Sequence, residues 1–155
     1  MLRVISLILV VLAASASLAL ADPQVGDDLA ICRDRQAELQ ARATACDNLL
    51  NADRVAGKDK AIALSVRGNT LINKRDYVHA IEVLSTALDL DPDYVVALNL
   101  RGLAHERRGE DDLAMADYNL ALQKRPAYGV PYNNRGVIQA RRGAKIFILL
   151  RGSDV

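Results

Sequence analysis

Apolar, small and charged positions return along this chain at one fixed spacing. Leu64, Leu98 and Tyr132 stand 34 residues apart, and Arg67-Gly68, Arg101-Gly102 and Arg135-Gly136 keep the same step. Ala80 pairs with Ala114, Leu84 with Tyr118, Ala87 with Ala121 and Pro92 with Pro126 in that register. A self-similar period of this length marks a repeat architecture, in which each unit buries its apolar face against its neighbours. Within each period the small and large positions fall four and three residues apart, the spacing of one helix face. The pattern predicts helices over Asp59–Asn73, Tyr77–Leu90, Asp93–Arg107, Asp111–Lys124 and Gly129–Arg142. Pro92 and Pro126 disfavour helical geometry at the residue before them, so Asp91-Pro92-Asp93 and Arg125-Pro126 read as turns between units.

Gly inside a helix costs roughly 1 kcal/mol against Ala, so its return at 68, 102 and 136 needs a packing reason. Gly68, Gly102 and Gly136 are expected where the two helices of a unit approach most closely. Ala80, Ala87, Ala114 and Ala121 are expected to let the second helix sit close to the first. Upstream, residues 22–60 read as a helical segment over Asp27–Asn51, with Arg42–Leu50 as the second helix of a degenerate unit that caps the stack. Downstream, the third unit spans 129–155 and departs from the pattern. After Arg141-Arg142-Gly143, which matches Arg107-Arg108-Gly109, the chain reads Ile146-Phe147-Ile148-Leu149-Leu150 where a second helix belongs. That points to a truncated or frame-shifted terminus, or else to a short natural strand or helix covering the last unit.

The register resembles the tetratricopeptide repeat on its recurring Gly, Ala and Pro positions, over Ala61 to Gly143. The chain has Leu or Tyr where that family often has Trp, and Arg67, Arg101 and Arg135 where it often has Leu. The resemblance implies an all-α fold: a right-handed superhelical stack of antiparallel helix pairs, with units at 61–94, 95–128 and 129–155. It also implies a groove lined by the first helices. The groove candidates are Ser65, Asn69, Asn73, Asn99, Glu106, Arg107, Asn133 and Arg141, with Ile72, Leu103 and Val137 as apolar neighbours. Some members clamp a peptide's terminal carboxylate with Lys and Asn, but Ser65 stands where Lys belongs, so that specificity is not expected.

Composition agrees with the helical reading. The 155 residues include no Trp and one Phe, so the core rests on Leu, Ile, Val and Ala, and Ala and Leu are strong helix formers. Residues 1–21 read separately, as a secretory signal peptide. Arg3 precedes an apolar run over Val4–Leu12, and Ala19-Leu20-Ala21 offers the small residues of a cleavage site. The run is short for a bilayer span of about 20 residues, so export to the periplasm or medium is expected, without stable membrane insertion. The 20 basic residues less Arg3 leave 19 against 19 acids. A near-neutral protein has no long-range pull on nucleic acid, which is not an expected partner.

Export also bears on the two cysteines. Cys32 and Cys46 would lie about 21 Å apart on one straight helix, too far to bond. A disulfide therefore needs the chain to reverse between them, in a stretch without Gly or Pro. The oxidising compartment favours the bond, and two separately buried thiols are the alternative.

Candidate chemistry is sparse. His79 and His105 sit in different units with no His or Cys at ligand spacing, and Gly57-Lys58 lacks the rest of a phosphate loop. Glu110-Asp111-Asp112 falls at a helix start, where acids suit the helix dipole. Arg67, Arg101 and Arg135 form a ladder that could face an acidic ligand but is better read as paired between helices. No catalysis, cofactor or metal is expected. The expected function is protein–protein interaction, with a peptide or partner helix in the groove. The alternatives are a structural part of an envelope complex and an accessory part of a longer enzyme.

Overall fold

A computed structural model describes residues 23–152, with side chains to Ala144. Seven helices follow one another: α1 Pro23–Arg33, α2 Leu39–Asn51, α3 Gly57–Asn73, α4 Tyr77–Leu90, α5 Val95–Arg107, α6 Asp111–Lys124 and α7 Val130–Gly152. The described residues contain no strand. The protein is all-α, and each helix packs against the next, an arrangement compatible with an α-solenoid. The first helices of the successive pairs also touch in a row, α1 to α3, α3 to α5 and α5 to α7. The proposed signal peptide, residues 1–21, lies outside the described residues.

Helix ends follow local chemistry. Asp76 accepts from the His79 backbone N–H at 3.4 Å and starts α4. Glu38 does the same for Ala41 at 2.8 Å and starts α2. Three helices close through a residue of positive φ: Asp53 at 50°, Arg75 at 63° and Gly109 at 80°. In each case the following N–H reaches back five residues, Arg54 to Leu49, Asp76 to Leu71 and Glu110 to His105, each at 2.9 Å. Such closures satisfy carbonyls that the helix itself leaves open. Only Gly takes this conformation without a Cβ penalty, so Arg75 holds it at a cost that Gly109 avoids.

Packing confirms the close approach at two of the three expected glycines. A Cβ on Gly68 would lie 2.6 Å from Leu84 Cγ, and one on Gly102 would lie 2.7 Å from Tyr118 Cε1. Leu84, Tyr118, Ala80, Ala87, Ala114 and Ala121 are all fully buried. Gly136 departs from the expectation: a Cβ there would meet nothing within 4 Å. The reason lies in α7, which does not stop at Arg142. It runs on to Gly152, because Gly143, one period after Gly109, keeps no positive φ. No second helix folds back onto α7 among the described residues.

The N-terminal pair is present, and its second helix begins about one turn early for the 34-residue step. α2 starts 38 residues before α4, at 39 against 77, while α4 and α6 start 34 apart, at 77 against 111. Its core is also distinct, built from Cys32, Ala43, Ala45, Cys46, Leu49 and Val55 against Ala63 and Val66 of α3. The chain does reverse between the cysteines, over residues 34–38. Cys32 and Cys46 are bonded, with their Cα atoms 5.0 Å apart. An Asp34 side chain accepting from the Gln36 N–H at 2.8 Å shapes the turn, a local bond that serves where Gly and Pro are missing.

Candidate functional site

The row of first helices presents one continuous face. A pocket opens on it between α2, α3 and α5, lined by Leu39, Arg42, Ser65, Val66, Asn69, Val96 and Leu100. Its walls are aliphatic and its polar groups few, the usual make-up of a recognition pocket. Arg42 is held in place by its Nε–H, which donates to the Cys32 carbonyl at 2.9 Å. The disulfide-linked pair α1–α2 thus fixes one rim of the pocket. Asn69 is half-buried at the opposite side.

The expected groove residues divide sharply. Asn69, Asn73, Arg107 and Asn133 remain accessible. Ser65 and Asn99 do not, at 1% and 5% exposed. Ser65 Oγ donates to the Ile62 carbonyl at 2.7 Å and lies 3.4 Å from the Tyr94 hydroxyl. Asn99 accepts from Asn134 Nδ2 at 3.1 Å, which links α5 to α7. These two positions are equivalent, and the next first helix covers each of them. Asn133, one period further on, has no such neighbour among the described residues and is exposed.

Glu106 and Arg141 also have partners within the stack. Glu106 accepts from the buried Tyr118 hydroxyl at 2.9 Å. Burial and that carboxylate push the Tyr118 phenol well above its ordinary pKa, so it remains a donor. Arg141 donates to Asp111, and Arg142 donates to Asp112 at 2.6 Å. The acids expected to serve the α6 dipole therefore also anchor α7. Among the apolar neighbours, Ile72 is core, while Val137 is 54% exposed.

The arginine ladder faces inward, as the paired reading expects. Arg67 Nε donates to Asp47 at 2.7 Å and its Nη2 to Asn51 at 2.9 Å. Arg101 grips Asp117 through Nε at 2.9 Å and Nη2 at 2.7 Å, and reaches Ser85 through Nη1 at 3.2 Å. The Asp117 hydrogen bonds raise the Arg101 pKa further. Arg135 breaks the series: its Nε is buried and has no hydrogen-bond partner among the described residues.

Each histidine sits beside one carboxylate. His79 Nδ1 lies 2.7 Å from Asp76 Oδ2, and His105 Nδ1 lies 2.7 Å from Glu110 Oε2. Among the described residues, no group of three or more His, Cys, Asp or Glu is placed to hold a metal ion, and no helix is long and apolar enough to cross a membrane.

Leu39, Arg42, Val96 and Leu100 were not among the expected site residues. Leu39 and Arg42 lie on the early first turn of α2, which the 34-residue period does not mark. Val96 and Leu100 flank Asn99 on α5 and read as ordinary apolar helix positions. No family model matches the chain, and no curated protein matches it.

Proposed function

We propose that this chain is an exported, non-catalytic interaction module of the tetratricopeptide type that binds an extended peptide segment on the α2–α3–α5 face. The observation that carries this reading is the pocket between Leu39, Val66, Val96 and Leu100, with Asn69 and Arg42 on its rims. An apolar peptide side chain would enter between the aliphatic walls. The Asn69 amide, which has both donor and acceptor atoms, would bond the peptide backbone. The Cys32–Cys46 bond supports an oxidising location, and the Gly68–Leu84 and Gly102–Tyr118 contacts support the repeat assignment.

The test uses peptides selected from a random library on the oxidised protein, with calorimetry of the recovered sequences. Asn69→Ala should weaken binding by about 1 kcal/mol, the loss of one hydrogen bond. Leu100→Ser should weaken it by more, and salt should matter little because the contacts are mainly uncharged. Circular dichroism should be unchanged for both variants. Selected peptides whose affinity ignores both substitutions would refute this site.

A further inference from the structure

The outer face of α7 differs from the same face of α3 and α5 in three independent ways. The first is the open space at Gly136, where Gly68 is filled by Leu84 and Gly102 by Tyr118. The second is Tyr132, which is 52% exposed, while its equivalents Leu64 and Leu98 are 8% and 1% exposed. The third is Arg135, whose buried Nε has no partner, while the equivalent Arg101 is gripped by Asp117. On α5 the second helix of the pair, α6, fills two of these places, with Asp117 on Arg101 and Tyr118 on Gly102. Among the described residues this face keeps the receptor features and has no helix packed into them.

We propose that the α7 face formed by Tyr132, Arg135 and Gly136 docks a helix from a partner protein that carries an acidic residue immediately before a bulky one. Small residues four before and three after the bulky side chain would complete the fit, as Ala114 and Ala121 do around Tyr118. The bulky residue would sit on Gly136, and the acid would pair with the partly exposed Arg135 guanidinium. A buried donor on a cation left unsatisfied is costly, so an acid delivered there gains both charge pairing and the missing hydrogen bond. Among the described residues no such pair lies on that face. One period after Asp117-Tyr118 stand Arg151-Gly152, and both belong to α7 itself. A second copy is disfavoured by charge. Between Val130 and Gly152 the helix carries no acid, so a second α7 offers nothing to pair with Arg135.

The probe is a synthetic peptide with the α6 sequence, residues 111–124, made helical by a lactam between positions 112 and 116, both solvent-facing on α6. An isolated helix of this length is otherwise marginal in water. Fluorescence anisotropy of the labelled peptide with the full chain should show saturable binding. Gly136→Val should weaken it at least ten-fold with unchanged circular dichroism. Asp-to-Asn at peptide position 117 should weaken it by a similar factor, with little further loss when combined with Arg135→Gln. No binding, or binding that ignores Gly136→Val, would overturn the proposal. So would loss of binding in Asn69→Ala alone, which would place the peptide in the α2–α3–α5 pocket. A lowered thermal midpoint for Gly136→Val without peptide would show that the chain covers this face itself. Concentration-dependent dimerisation abolished by Gly136→Val would make the occupant a second copy. Either result would refute a partner helix.

Discussion

Gly102 and Gly136 occupy the same position of successive units, and the structure predicts opposite outcomes when each becomes Ala. The helix-propensity gain is common to both, about 1 kcal/mol. At Gly136 nothing opposes it, since no atom lies within 4 Å of the new Cβ. At Gly102 the Cβ would meet Tyr118 Cε1 at 2.7 Å, Cδ1 at 2.9 Å and the Ala114 carbonyl oxygen at 3.2 Å. Tyr118 cannot swing aside, because it is fully buried and its hydroxyl is held by Glu106. Overpacking of this kind costs about 1–3 kcal/mol. Gly102→Ala should therefore be neutral to destabilising by about 2 kcal/mol, while Gly136→Ala should stabilise α7 by about 1 kcal/mol. Urea denaturation reads the first. Because repeat stacks open locally, hydrogen exchange of the α7 amides reads the second, with protection rising about five-fold. Equal shifts at the two sites would refute the claim that one glycine is packed and the other is open.

Four further outcomes are expected. Protein from an oxidising compartment should show no free thiol, and reducing Cys32–Cys46 should cost about 3 kcal/mol for a loop of this length; full thiol reactivity before reduction would contradict the bond. Arg101→Met should cost about 3 kcal/mol by stranding Asp117, whose side chain is only 8% exposed, and adding Asp117→Leu should restore most of that loss in thermal melts. Arg75→Gly should stabilise by about 0.5–1 kcal/mol, because Arg75 holds a left-handed φ of 63° that costs an L-residue about 1–2 kcal/mol. The Asp76 hydrogen bond raises the His79 pKa above its ordinary value, so this pair stabilises fully below pH 6.5 and its contribution fades as pH rises through the raised pKa. An NMR titration should show His79 returning to the ordinary range in Asp76→Asn, and an unmoved midpoint would exclude the pairing.

The helices were legible because their signals are local. Gly, Ala and Pro at a 34-residue step mark close approaches and turns, and four of the five expected repeat helices end where the pattern puts their last residue. The N-terminal pair was legible only in outline. Its helices meet through a disulfide and a turn made by the Asp34 side chain, neither of which has a periodic signature. The end of α7 was missed for a related reason. Gly143 carries the same residue type as Gly109, but a left-handed closure is worth forming only when a returning helix packs behind it. The groove residues were half legible, since exposure depends on which helix comes next. Ser65, Asn99 and Asn133 look alike in sequence, and only the presence of α5 over Ser65 and α7 over Asn99 buries the first two.

The arginines show how a repeat keeps a position while changing its chemistry. Arg67 has Val83 where Arg101 finds Asp117, so it turns back to Asp47 on the preceding helix. Arg101 has Ile81 at the place that corresponds to Asp47, and it turns forward instead. Both also reach the preceding second helix at equivalent positions, Asn51 and Ser85. One acid per arginine, placed on either side, is enough to settle the guanidinium, and a planar five-donor group suits such interchange. In the 34-residue step Met115 and Arg151 stand at the two places where Arg67 and Arg101 find their acids, so neither position carries one. Its Nε accordingly lacks the acid that Arg67 and Arg101 each find. Met115→Asp should supply the acid from behind, and it should weaken docking of the α6-sequence peptide by removing the charge that the peptide is meant to satisfy. If Met115→Asp leaves the peptide's dependence on its acidic residue intact, Arg135 is not what that residue recognises.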